Sequence, residues 1–130
     1  MIKRNKAKRS YNIKKTGVKD EYIDRQILAI HLAIVNKILA EPALGTQVFN
    51  TLDARRLEGK IGYGEYITWY SLLEIIDDPD SFKRGVLEYS GKMRKYRRRT
   101  PFINILTEEE RNNAIQAGAI GELPNISVIF

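Results

Sequence analysis

The chain has 130 residues, no cysteine, one histidine and a formal net charge of +6. Without cysteine it cannot build disulfides, thiolate zinc sites, iron–sulfur clusters or a cysteine nucleophile, and His31 alone leaves little for zinc or triad chemistry. Hydrophobic residues at 43% and charged residues at 29% mark a globular chain with the length of one domain, not a disordered one.

Charge breaks every apolar stretch well before the roughly 20 residues that a bilayer needs, so no membrane span is expected. The basic N-terminus lacks the apolar segment of a secretory signal, although its acid-free composition would also suit a transit or nuclear signal. A cytoplasmic location is expected.

The placement of the charge says more than its total. Residues 1–19 hold eight basic groups and no acid, and residues 92–99 hold six more and no acid. Between them, residues 20–91 carry seven basic against twelve acidic groups, and residues 100–130 carry one against four. The pattern is a mildly acidic body with two basic appendages.

Residues 1–18 read as a basic arm and 19–130 as a helical domain. Asp20 opens a first helix that Pro42 bounds. Ile23, Ile27, Ile30, Ile34 and Ile38 recur at helical spacing, and Leu28, Val35 and Leu39 widen the stripe enough to predict a central helix. A second helix is expected from about Ala43 to Glu58, with Leu44, Val48 and Leu52 inward and Gly59 as its stop.

The segment 59–64 is a glycine-punctuated connection that fits neither a dinucleotide fingerprint nor a phosphate loop. Glu65 to Ile76 is again helical, with Tyr66, Trp69, Leu73 and Ile76 on one face. A core stripe explains Tyr66, Trp69 and Tyr70 better than a ligand cage.

Asp78, Pro79 and Asp80 start the next helix as cap, first-turn proline and dipole partner. That helix turns Phe82 and Val86 inward and either stops at Gly91 or runs on through the basic residues. Thr100-Pro101 breaks it. Phe102 to Leu106 reads as extended, Thr107 to Glu110 as a capping box opening a helix that stops at Gly118, and Ile126 to Phe130 as a short strand or docked tail. The expected fold is mainly α: a single-domain bundle of about five helices with a basic N-terminal arm and a short extended C-terminal tail.

Two groups of residues are candidate contacts for a polyanion. In the arm they are Lys3, Arg4, Lys6, Lys8, Arg9, Lys14 and Lys15; in the second run they are Lys92, Arg94, Lys95, Tyr96, Arg97, Arg98 and Arg99. Cations neutralise phosphates and Tyr96 can stack on a base. On a helix the cations of the run would wrap most of the circumference, as a groove lined by phosphates would require; alternatively they form a solvated helix end paired with the acidic body.

Asp24 lies seven residues before His31 on nearly the same helical face, so the two could form an acid–base pair, or His31 could be a satisfied core residue. Asp77, Asp78 and Asp80 match no calcium loop and serve better as caps. Ala114 and Gly118 have the spacing of a helix-turn-helix, but Pro124 and Glu122 spoil the following helix as a DNA reader. No metal ligands, cofactor or catalytic residues are assigned.

The sequence therefore favours a non-enzymatic nucleic-acid-associated binding protein, contacting RNA or DNA mainly through the phosphate backbone, such as a small regulator or nucleoprotein component. The alternative is a protein-interaction or assembly module, a homo-oligomer included, whose basic segments dock on an acidic partner. A small enzyme built on Asp24 and His31 comes third.

Overall fold

The computed structural model describes residues 18–119, and side chains over 20–118. The arm residues 1–17 and the expected tail strand at 126–130 lie outside the described residues. Six helices follow one another: α1 (Val18–Ala40), α2 (Leu44–Leu57), α3 (Tyr63–Glu74), α4 (Pro79–Val86), α5 (Gly91–Arg98) and α6 (Glu108–Ala119). Among the described residues there is no strand, and no helix is long and apolar enough to cross a membrane.

α1 is the axis of the bundle, packed against α4, α5 and α6, while α3 packs on both α2 and α4. Its isoleucine stripe supplies Ile34 and Ile38 to the core, beside Leu28 and Val35. Val48 and Leu52 of α2, Trp69 and Leu73 of α3, and Phe82 and Val86 of α4 complete the same cluster. Phe102 closes it, its ring edge-on to Trp69 at 5.3 Å and to His31 at 5.9 Å. Such T-shaped pairs add about 1 kcal/mol each to the area they bury.

The local signals act where the residue chemistry places them. Asp78 caps α4 by accepting the Ser81 N–H at 3.4 Å and its hydroxyl at 2.8 Å. Thr107 and Glu110 form a reciprocal box: Thr107 N–H donates to the Glu110 carboxylate at 2.8 Å, and Glu110 N–H to the Thr107 hydroxyl at 3.1 Å. Gly59, at φ 72, ends α2 in a Schellman arrangement, with Lys60 N–H bonded to Arg55 O at 2.8 Å and Gly59 N–H to Arg56 O at 3.2 Å.

Three expectations shift. Ser90 splits the fourth expected helix in two, so the basic run forms a helix of its own, α5. The segment Phe102 to Leu106 is not extended but turns, with Asn104 at φ 62, a left-handed conformation that asparagine tolerates. α3 starts two residues earlier than Glu65, on Tyr63.

Small residues set how closely the helices approach. A Cβ on Gly118 would stand 2.8 Å from the Ala29 Cβ, so α6 needs glycine to lie on α1. A Cβ on Gly85 would overlap the Leu72 side chain.

Candidate nucleic-acid interface

α5 is set up by Ser90, whose hydroxyl accepts the Met93 N–H at 3.1 Å. With about 3.6 residues per turn, residues three and four apart share a face. The run 92–99 therefore divides into three directions. Met93 and Arg97 point into the core, Arg94 and Arg98 point at α1, and Lys92, Lys95, Tyr96 and Arg99 form the outward arc.

Arg97 is 1% exposed. One terminal nitrogen, Nη1, donates to Val86 O at 2.9 Å and to Glu88 O at 2.7 Å, satisfying carbonyls where α4 ends and its dipole is negative. Its Nε and Nη2 have no hydrogen-bond partner among the described residues. Burial lowers its pKa to about 10, opposed by the charge of Asp24, so the guanidinium stays protonated at neutral pH. This position removes Arg97 from reach of an external phosphate.

Arg98 and Arg94 are held by one carboxylate. Asp24, 6% exposed on α1, accepts from Arg98 Nε at 2.8 Å and has Arg94 Nη1 at 3.9 Å. The Asp24 hydrogen bond holds Arg98 above its ordinary pKa. Arg94 also lies over the Tyr89 ring at 4.9 Å. Together with Asp20, Glu21 and Lys95 these residues line a shallow cleft of mixed charge.

The outward arc is different. Lys92 and Lys95 are exposed and form no ion pair among the described residues. Arg99 reaches the buried Glu65 of α3 through Nη2 at 2.9 Å, yet its side chain remains 59% exposed. Half-buried Tyr96 sets its hydroxyl 4.0 Å from the position a Cβ would take on Gly64. The arc thus ends against the first turn of α3, where Gly62 leaves the helix without a side-chain cap.

Arg55 ties the end of α2 to the same place, donating to Arg99 O at 2.8 Å and to Thr100 O at 3.0 Å. Its neighbour Arg56 spreads over two rings, 5.2 Å from the Tyr63 centroid and 5.9 Å from that of Tyr66. The Tyr66 hydroxyl donates to Asp53 at 2.8 Å, and that bond raises its pKa. Tyr66 and Phe49 flank Tyr70 at 5.5 and 4.7 Å, so tyrosines and a phenylalanine join α2 to α3 while Trp69 lies in the core.

The third expected constellation is not assembled. Asp24 turns to the arginines, and His31 bonds elsewhere: its Nδ1 lies 2.8 Å from Ile27 O and its Nε2 2.8 Å from the Thr100 hydroxyl. A carbonyl only accepts, so Nδ1 carries the proton and neutral Nε2 accepts from Thr100. The Thr100 oxygen in turn accepts Phe102 N–H at 3.1 Å. Burial lowers the His31 pKa to about 4, the Ile27 bond opposing and the charge of Arg97 assisting. Among the described residues no three His, Cys, Asp or Glu side chains gather as a metal site, Asp77, Asp78 and Asp80 included.

The arm candidates Lys3, Arg4, Lys6, Lys8, Arg9, Lys14 and Lys15 lie outside the described residues. Of the second group, Lys92, Lys95, Tyr96 and Arg99 share one outward arc, and Arg94, Arg97 and Arg98 do not. Sequence reasoning missed Arg55, Arg56 and Tyr63. The signal present was the run Arg55-Arg56 ahead of a glycine-flanked tyrosine. Compared with known protein families, curated proteins and solved structures, the chain matches none.

Proposed function

We propose that the protein is a non-enzymatic, cytoplasmic binding protein that associates with nucleic acid through the phosphate backbone. The observation that carries this reading is the division of labour on α5. Arginines 94, 97, 98 and 99 all have internal acceptors, Arg99 with 59% of its side chain still exposed, whereas Lys92 and Lys95 stay open on one face with Tyr96 beside them. Lysine is a compact, hydrated point charge suited to exposed phosphate contact, and arginine suits buried, directed bonds. The seven cations of residues 1–17 add an acid-free segment of the same sign.

Counterion release supplies the affinity, so binding should fall linearly on a log–log plot as salt rises. Anisotropy of a labelled oligonucleotide across a salt series tests this. Replacing Lys92 and Lys95 together by alanine is expected to flatten the slope by about 1.4–1.8, at 0.7–0.9 per phosphate contact. Absent or salt-independent binding of the full chain would remove the reading. Selective binding of an acidic protein instead would transfer the same face to the assembly reading.

A further inference from the structure

Among the apolar groove beside Pro42, the mixed-charge cleft beside Asp24 and the surface where α2, α3 and α5 meet, the last joins the most chemistry. The outward arc of α5 carries exposed charge but only one half-buried ring, Tyr96. The same end of the bundle supplies what the arc lacks. Arg99 is tied to Glu65 and, through its carbonyl, to Arg55. One residue along from each lie Gly64, Tyr66 and Arg56, and Tyr63 opens the same first turn of α3.

Tyr63 is 62% exposed, with the Arg56 guanidinium 5.2 Å from its centroid. Arg56 is itself steadied by Tyr66, which Asp53 fixes through its hydroxyl. The guanidinium of α2 lies over one face of the Tyr63 ring of α3, which leaves the exposed tyrosine a cationic backing on that side. At Gly59 and Gly62 the space a side chain would take is open. Three carboxylates of this region are engaged, Asp53 by Tyr66, Glu58 by Lys60 at 3.3 Å and Glu65 by Arg99.

We propose that the Tyr63–Arg56 surface stacks an unpaired base of a single strand whose backbone runs along Lys92, Lys95 and Arg99. The inference rests on the phosphate-binding reading above and narrows its ligand class to single-stranded nucleic acid. In a duplex the base faces are occupied by their neighbours, so a stacking surface rewards only a strand whose bases can splay. Every base has a π-face, so the surface selects strandedness and not sequence.

The test uses the full-length protein with one labelled mixed-sequence oligonucleotide, offered alone and annealed to its complement. The single strand should bind more tightly than the duplex. Tyr63→Ala should weaken single-strand binding roughly tenfold or more, from the stacking lost per base, and leave the salt slope unchanged. Tyr63→Phe should restore it, because the ring does the stacking. Arg56→Lys, which keeps charge but loses the planar face, should weaken binding at constant slope. Thermal melts of each variant show whether the fold is kept; if Tyr63→Ala unfolds, Arg56→Lys and Tyr63→Phe decide.

Salt-independent or absent binding of both probes overturns the phosphate reading and this inference together. Salt-dependent binding with a preference for duplex, or with no response to Tyr63→Ala, overturns this inference alone.

Discussion

Arg98 Nε sits 2.8 Å from the carboxylate of Asp24, across 74 residues of chain. The pair joins the helix carrying the densest positive charge to the central helix of the bundle, and Arg94 shares the same acceptor at 3.9 Å. Asp24 is buried, whereas the Arg98 side chain is 41% exposed and can rehydrate when released. Asp24→Asn is therefore expected to cost about 1–2 kcal/mol, read as a lower urea midpoint at constant m-value. The same change frees two cations beside the outward arc. Polyanion affinity should hold or rise while stability falls, and a parallel loss of both would contradict the separation of roles on α5.

Arg97 gives the opposite contrast within the same helix. Its guanidinium closes the end of α4 but leaves Nε and Nη2 without hydrogen bonds among the described residues. Truncation to alanine removes a large buried side chain and orphans the Val86 and Glu88 carbonyls, at a cost of about 3 kcal/mol. Arg97→Met refills the space and discards a poorly satisfied buried charge while orphaning the same two carbonyls, so it should cost less than the alanine change. Chemical denaturation measures both. Arg97→Met should leave the salt slope of oligonucleotide binding untouched, because this cation never faces solvent.

Local signals were legible in the sequence because their cause lies within a few residues. Asp78, the Thr107–Glu110 box and Gly59 each act on backbone groups no more than four positions away. The isoleucine stripe of α1 likewise needs only its own period. What stayed hidden depends on partners far apart in the chain: Asp24 with Arg98, Glu65 with Arg99, Arg55 with Arg99 and Thr100. Six cations in eight residues look alike in a sequence. Only the packing of α5 on α1, α3 and α4 tells which are structural and which are open. Ser90 was readable as a cap, and reading it would have placed α5 as a separate helix with its three faces.

The Thr107–Glu110 box should govern how firmly α6 holds its first turn. Thr107→Ala removes one cap acceptor and is expected to cost about 1 kcal/mol. Glu110 also accepts from Lys37 at 2.7 Å, and Lys37 donates to Ile105 O at 2.7 Å, so the turn is tied to α1 as well. These bonds hold the Glu110 carboxyl below its ordinary pKa. Their stabilisation is present above the unfolded carboxylate value and is lost as pH falls through the folded one. Amide exchange should therefore quicken in the first turn of α6 in Thr107→Ala before the core of α1 responds.

His31 makes the acid limb of the stability curve steeper than the carboxylates alone would. In the fold it is neutral, donating to Ile27 O and accepting from Thr100, with its pKa lowered to about 4 from 6.5. Above pH 6.5 both folded and unfolded chains carry neutral imidazole, and the contribution is complete. Between pH 6.5 and 4 the unfolded chain takes up a proton that the folded one refuses, so stability falls by about 1.4 kcal/mol per pH unit. At pH 5 the loss from this group is about 2 kcal/mol, and below pH 4 it levels off. His31→Gln has no such group to titrate. Its stability at neutral pH should be lower than that of the wild type, because the bonds that fix Thr100 are strained or lost. The gap should narrow as pH drops to 5, and a gap that stays constant between the two pH values would mean His31 is not held neutral by its burial.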